Sequence, residues 1–301
     1  MKNYLFAVIS ILFWSFNVII AHILANHLTP WQISGFRWSI AALLILPFAL
    51  FSLKQNWQIV LKNKWWICWT ALWGITINNT LVYYAAYTVR PVALSLIGVT
   101  GPLFLIFFSW LIQGKDLSKR QLFGLLFTLL GVFAIILYGR AQTMGEIHFE
   151  RGDFWMLGAA ITFGYYSFCV ADKPKNLPYF PFFAASLIVG ALLCLPMFLW
   201  DTFSTPVAFL SNMNLDILVV LFFLGIFNSV LAYLLWNYAL TKGDPIKVSM
   251  IYYLMPVFSM IESWFILNDS IHWIQVVGAF VVFGGIYYST KSTPQKKQSS
   301  S

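Results

Sequence analysis

Apolar residues in this chain run in long blocks rather than alternating with polar ones. Ten blocks stand out, at residues 4–24, 31–53, 65–87, 91–112, 121–138, 154–170, 182–200, 215–240, 246–267 and 273–288. A helix needs roughly 20 apolar residues to cross a bilayer core, so the pattern predicts ten transmembrane helices. The connections at 54–64, 115–120, 140–153, 172–181, 201–214 and 242–245 carry the loop chemistry: charges, prolines and amides. The first block follows Met1, Lys2 and Asn3, is longer than the apolar core of a signal peptide, and ends without a small-residue cleavage site. It is predicted as the first span.

Composition strengthens this picture. Of the 301 residues, 60% are hydrophobic and 9% charged, and the mean hydropathy is +0.78. Soluble domains carry about 25% charged residues, so lipid is the solvent for most of this surface. The net charge of +8 does not point to nucleic acid, because the basic residues are scattered over short loops rather than gathered in one stripe. They read instead as topology signals. Lys2, Lys54, Lys62, Lys64, Lys115, Lys119, Arg120, Lys173, Lys175, Lys242, Lys247 and the tail lysines fall on one side, against Arg90, Arg140 and Arg151 on the other. The positive-inside bias predicts that both termini are cytoplasmic, as an even number of spans requires. Cys68, Cys169 and Cys194 are isolated within apolar runs and offer neither a disulfide framework nor a metal motif. The tail, 291–301, is polar and expected to be disordered.

The chain also repeats itself. A shift of 154 residues lays Ala85 on Ala239, Ser95 on Ser249, Pro102 on Pro256, Trp110 on Trp264, Gln121 on Gln275, Gly124 on Gly278 and Gly131 on Gly285. A shift of 149 lays Trp14 on Phe163 and Pro47 on Pro196. Five spans per half is an odd number, so the second half enters the membrane from the opposite side. The expected fold is all-α and integral to the membrane: two inverted five-helix repeats, residues 1–145 and 146–290. Inverted repeats support alternating access around a site near the midplane.

The segment Ala85-Ala86-Tyr87-Thr88-Val89-Arg90-Pro91-Val92-Ala93-Leu94-Ser95, continuing to Gly101-Pro102 and to Trp110-Leu111-Ile112-Gln113-Gly114, resembles the repeat unit of the EamA family of drug/metabolite transporters. A second copy runs from Ala239-Leu240 through Pro256 to Trp264 and Asp269. Phe13-Trp14-Ser15-Phe16-Asn17 and Arg37-Trp38 are similar to the family as well. The acid that usually closes the unit is Lys115 in the first copy. The resemblance implies a carrier of small organic metabolites with no cofactor, most often an exporter of amino acids or related compounds in a bacterial inner membrane. It also leaves open uptake or exchange of metabolites, vitamins or nucleosides. It implies a central cavity enclosed by helices one, three, four, six, eight and nine.

Several residues can carry the chemistry of transport. Glu262 is the one acid well inside a predicted span; it reads as a coupling site, with protons as the coupling ion, or as a structural partner for Arg37 or an amide. Arg37 reads as a snorkelling or structural cation, or as a site for a substrate carboxylate. Asn79 and Tyr83, four apart on one helical face, match Tyr233 and Asn237 in the second half. They read as donors and acceptors for a polar solute or as interhelical hydrogen bonds, and Asn78 and Asn228 divide in the same way. Trp14, Asn17, Tyr165, Tyr166, Tyr252 and Tyr253 are expected as cavity lining, with helix packing the alternative. Pro102 and Pro256 are expected mid-helix, as hinges or kinks that free the carbonyls of Gly98 and Tyr252. The four glycines Gly124, Gly131, Gly278 and Gly285 mark close helix packing.

Scattered histidines and a single intramembrane acid argue against catalysis, and no selectivity-filter loop or charged ring points to a channel. A non-transporting membrane scaffold is the competing reading. The expected partners are the bilayer, a small-molecule solute and protons, with the chain acting as a monomer or homodimer.

Overall fold

The computed structural model describes residues 2–89, 91–115, 118–119, 121–131, 151–267 and 273–290, and these are helical almost throughout. In a bilayer every backbone N–H and C=O must be satisfied within the chain, which leaves the helix as the element for such apolar blocks. The helices in order are α1 (Lys2–Leu24), α2 (Pro30–Gln55), α3 (Trp57–Lys62), α4 (Lys64–Ala71), α5 (Asn78–Ala86), α6 (Pro91–Gly98) and α7 (Gly101–Gln113). After them come α8 (Gln121–Gly131), α9 (Arg151–Ala171), α10 (Tyr179–Ser204), α11 (Pro206–Asn212), α12 (Leu215–Phe223), α13 (Ala232–Lys242), α14 (Pro245–Met250), α15 (Met255–Leu267) and α16 (Trp273–Thr290).

Six stretches among the described residues are helices long and apolar enough to cross a membrane: Asn3–Leu24, Pro30–Gln55, Arg151–Ala171, Tyr179–Ser204, Leu215–Lys242 and Pro245–Ile266. The other four expected spans differ for identifiable reasons. The block at 65–87 is helical through Ala86, as α4, a π-helical segment, Leu72–Ile77, and α5, but its tryptophans, tyrosines and paired asparagines leave it less apolar than the six. The block at 91–112 is split by a turn at Val99 and Thr100 into α6 and α7. The blocks at 121–138 and 273–288 supply the shorter apolar helices Gln121–Gly131 and Val276–Tyr288. Residues 132–150, with the boundary at 145/146, and likewise Asp269 and the tail 291–301, lie outside the described residues. Two connections read as loops contain short helices, α3 and α11.

Local chemistry explains where helices start. Thr29 caps α2 in a reciprocal box with Gln32, each side chain bonding the other's backbone N–H at 3.1–3.2 Å, and Pro30 sits in the first turn. Asp244 caps α14 by accepting from the N–H groups of Ile246 and Lys247, ahead of Pro245. A second π-helical segment, Leu224–Leu231, joins α12 to α13, and a 3₁₀ turn, Ile251–Leu254, joins α14 to α15.

The packing places α1 against α13 and α15, and α9 against α5 and α7. Helix α2 runs along α10, while the Leu224–Leu231 segment packs on α2 and the Leu72–Ile77 segment on α10. Large apolar side chains such as Leu43, Phe48, Phe51, Trp200, Phe203 and Phe280 face outward, as a lipid-facing surface demands. Glycines set the approach of α8 to α16. A Cβ on Gly131 would lie 2.6 Å from the carbonyl oxygen of Gly278, and one on Gly285 would lie 2.3 Å from Thr128 Oγ1.

Candidate functional site

A cavity of about 490 Å³, its open mouth included, lies where α1, α5, α6, α9, α13, the 3₁₀ turn and α15 meet. Trp14, Asn17, Asn78, Asn79, Phe163, Tyr233 and Tyr252 supply its aromatic and amide surface, and Val18, Val82, Gly98, Met156, Ala159, Ala160 and Met255 complete the wall. No charged side chain is among these.

The aromatic part is one connected cluster. Trp14 meets Phe163 edge-on at 5.4 Å between ring centroids and Tyr233 at 5.1 Å. Phe163 lies 5.0 Å from Tyr252, and Trp236 touches Trp14, Phe163 and Tyr252 from behind. Such off-parallel contacts favour the quadrupoles of the rings.

The polar part centres on Arg37, whose side chain is fully buried in the second turn of α2. It does not snorkel. Its Nε donates to Ser229 Oγ at 2.5 Å, and its Nη1 donates to Tyr83 OH at 2.8 Å, Asn79 Oδ1 at 3.0 Å and Asn17 Oδ1 at 3.4 Å. Its Nη2 donates to the carbonyl of Asn228 at 3.0 Å. The guanidinium also lies 5.0 Å from the centre of the Trp38 ring. Burying a charge costs several kcal/mol unless its hydrogen bonds are met, and here neutral oxygens meet them. The expected partnership with Glu262 is not formed.

The π segments make this hub possible. A π turn carries an extra residue and breaks the regular i→i−4 ladder, so its carbonyls are open to side chains. Gly74 O accepts from Tyr233 OH at 3.0 Å and from Asn79 Nδ2 at 3.2 Å, and Ile75 O accepts from Asn79 Nδ2 as well. In the second π segment, Asn228 O accepts from Trp14 Nε1 and Arg37 Nη2, each at 3.0 Å, and Leu224 O accepts from Ser229 Oγ.

Most of the residues singled out in the sequence converge here. Trp14, Asn17, Asn79 and Tyr233 line the cavity, and Asn79 Nδ2 donates to Tyr233 OH at 2.7 Å. Tyr83 sits behind them and donates to Asn17 Oδ1 at 3.2 Å. Tyr166 donates to Asn237 Oδ1 at 2.8 Å, and its ring lies 5.8 Å from that of Tyr233. Asn78 anchors α5 to α9 by donating to Ala159 O at 2.7 Å.

Three placements correct the expectation. Tyr165 turns away from the cavity: its hydroxyl accepts from Trp69 Nε1 at 2.8 Å, and its ring packs on Trp73 and Phe108. Adjacent helical residues point about 100° apart, so Tyr165 and Tyr166 cannot share one face. Tyr253 is fully buried with no partner for its hydroxyl, and Tyr252 is the one that reaches the cavity. Pro102 is not mid-helix, whereas Pro256 lies within the helical stretch Pro245–Ile266, just after its 3₁₀ turn. Of the two, Pro102 falls in the first turn of α7, where a missing N–H leaves no bond unmade. The residues four before them, Gly98 and Tyr252, both line the cavity.

Glu262 is buried on α15, where Ser15 Oγ donates to Oε1 and Oε2 has no partner. Sequence reasoning missed Ser15, Ser229 and Trp236. Isolated serines and one further tryptophan in apolar runs carry no signal of their own; only Ser229 lies in a π segment. Among the described residues no group of His, Cys, Asp and Glu could hold a metal ion.

Comparison with known proteins fits this arrangement. A solved crystal structure superposes with a TM-score of 0.70 at 19% identity, covering 96% of each chain. An uncharacterised transporter of Archaeoglobus fulgidus is 23% identical over 295 residues, 98% of this chain and 99% of its own. The uncharacterised transporter YyaM of Bacillus subtilis is 25% identical over 87% of this chain and 84% of its own. The sequence model of the EamA-like transporter family matches twice, at residues 1–137 and 150–291. With both matches together spanning nearly its whole length, the chain belongs to the EamA-like transporter family and carries small molecules across a membrane rather than catalysing a reaction.

Proposed function

We propose that the protein exports amino acids or related small metabolites by alternating access, through ten spans arranged as two inverted five-helix repeats at residues 1–145 and 146–290. The observation that carries this reading is the cavity itself, which lies between the two halves and takes its wall from both.

Correspondences between the halves support the repeat. The π segments Leu72–Ile77 and Leu224–Leu231 overlap under the 154-residue shift, as do the breaks ahead of Pro102 and Pro256. The contact of α1 with α13 has its counterpart in that of α9 with α5, and α1 with α15 in α9 with α7. Even the hydrogen bonds correspond: Tyr83 donates to Asn17 in one half, and Tyr166 to Asn237 in the other. The amide and the phenol have exchanged helices.

In this reading Arg37, Asn79, Tyr83, Tyr166 and Asn237 hold the cavity in shape, while Trp14, Asn17, Tyr233 and Tyr252 meet the solute. The prolines sit just after the turn at Val99 and Thr100 and just after the 3₁₀ turn Ile251–Leu254. Purified protein in proteoliposomes, offered a panel of amino acids and metabolites, should give saturable, selective flux. Asn237→Ala, which removes the acceptor of Tyr166, should lower that flux about tenfold or more while the protein still folds, since misplaced binding groups cost this much. A folded wild-type protein that moves no member of the panel would instead favour a membrane scaffold.

A further inference from the structure

We infer that the cavity selects solutes carrying a negative charge on a flat apolar body and rejects organic cations, because the buried Arg37 guanidinium behind its wall has no carboxylate to neutralise it. This deepens the transport reading and rests on the cavity being the transport site.

A guanidinium keeps its charge in proteins and is donor-only. All the partners of Arg37 are neutral: one serine hydroxyl, one phenol, two amide oxygens and one backbone carbonyl. Glu262 does not offset it at contact range. It is held by Ser15, and Ser15 and Asn17 are two residues apart on α1, hence about 200° apart around the helix. The body of α1 therefore stands between that carboxylate and the guanidinium. A net positive charge remains one amide layer behind the cavity, in surroundings that screen it poorly.

The amides carry this charge to the surface. Because Arg37 only donates, the atoms of Asn17 and Asn79 that face it must be oxygens, which fixes both amides without ambiguity. Asn79 then spends its NH₂ group on Gly74 O, Ile75 O and Tyr233 OH. Asn17 spends its oxygen on Arg37 and Tyr83, and its NH₂ group has no partner among the described residues. Asn17 lines the cavity, so the cavity presents a donor polarised by a cation, beside the faces and edges of Trp14, Phe163, Tyr233 and Tyr252. A carboxylate on a ring-bearing or flat apolar solute meets both features. An ammonium meets a like charge and no acid.

Equilibrium binding to the protein in nanodiscs, with 3-phenylpropanoate, 3-phenylpropanamide and 3-phenylpropylammonium as probes of one shape and three charges, tests this. The anion should bind about tenfold or more tighter than the amide, with the ammonium weakest, the order of effect expected of one poorly screened charge. Removing Arg37 risks the fold, so the informative variant is Asn17→Asp. Its carboxylate keeps the bonds to Arg37 and Tyr83, cancels the charge and replaces the free donor by an acceptor. It should abolish or reverse the order. An ammonium that binds the wild type as well as the anion, an unchanged order in Asn17→Asp, or no binding of any probe would each overturn the inference. Flux measured on the same protein separates the two readings. Ordered binding without flux of any solute refutes transport but keeps the charge preference, whereas flux without ordered binding does the reverse.

Discussion

Glu262 and Arg37 are both buried in the same bundle, yet they do not meet. The guanidinium is saturated by neutral oxygens, and the carboxylate has one hydroxyl donor and one empty oxygen. A carboxyl group left half-satisfied inside a membrane protein is costly, and such groups commonly mark a proton or substrate path. If Glu262 exchanges a proton during the cycle, Glu262→Gln should retain flux down a solute gradient but lose its dependence on a pH gradient, because an amide keeps the shape and cannot exchange the charge. Flux assayed with and without an imposed pH gradient reads this directly, and a mutant that still responds to the gradient removes the assignment. At this scale the sequence was informative wherever a residue type was out of place. An arginine, a glutamate and the asparagines in apolar blocks all proved buried, and Arg37 gathers Asn17 and Asn79 into one network while Asn78 and Asn237 bond elsewhere. It was uninformative about facing. Nothing in the order Tyr165-Tyr166 or Tyr252-Tyr253 says which ring turns inward, since that depends on how each helix is rotated against its neighbours and, for Tyr252-Tyr253, on the 3₁₀ turn that holds them.

Among the elements, the crossing of α8 and α16 depends on absent side chains. A Cβ on Gly285 would lie 2.3 Å from Thr128 Oγ1 and 2.8 Å from the carbonyl of Gly124, so any larger residue must push the helices apart. Overpacking of this kind costs about 1–3 kcal/mol, and little else in a bilayer compensates, because lipid offers no hydrophobic drive between helices. Gly285→Leu should therefore lower the melting temperature of the purified protein clearly, whereas Gly284→Leu should not, as nothing lies within 4 Å of a Cβ at that position. The seven-residue spacing of the glycines exposed this contact in advance. The π segments were not legible, because Leu72–Ile77 and Leu224–Leu231 differ from ordinary apolar helix only in where their hydrogen bonds go.

For the whole molecule, the cavity occupies one end of the bundle as well as its middle. Its wall uses Val18 and Val82, toward the C-terminal ends of their helices, and Gly98 and Met156, in helices that run the other way. If both termini are cytoplasmic, as the charge bias predicts, this end faces out of the cell. A Val18→Cys variant, made after Cys68, Cys169 and Cys194 are replaced, should react with a membrane-impermeant thiol reagent added outside intact cells. Reaction only after the membrane is opened would reverse the orientation. The membrane-spanning, all-helical character was legible because long apolar blocks write it in composition, while the orientation rests on the charge bias that this labelling tests. The placement of the mouth was not, since it depends on how the helices pack in space rather than on their order.

The two π segments have a mechanical consequence. Each holds one residue more than an α-helix of the same rise requires, so each is a length of slack wound into a span. Taking up that slack would turn the segment beyond it by about 100° and advance it by about 1.5 Å. For α5 the turn would carry Asn79 and Tyr83 off Arg37, and for α13 it would carry Tyr233 and Asn237 away from α9, while the far ends of the same helices stayed anchored in the membrane. A span built this way has a place at its centre where it can twist.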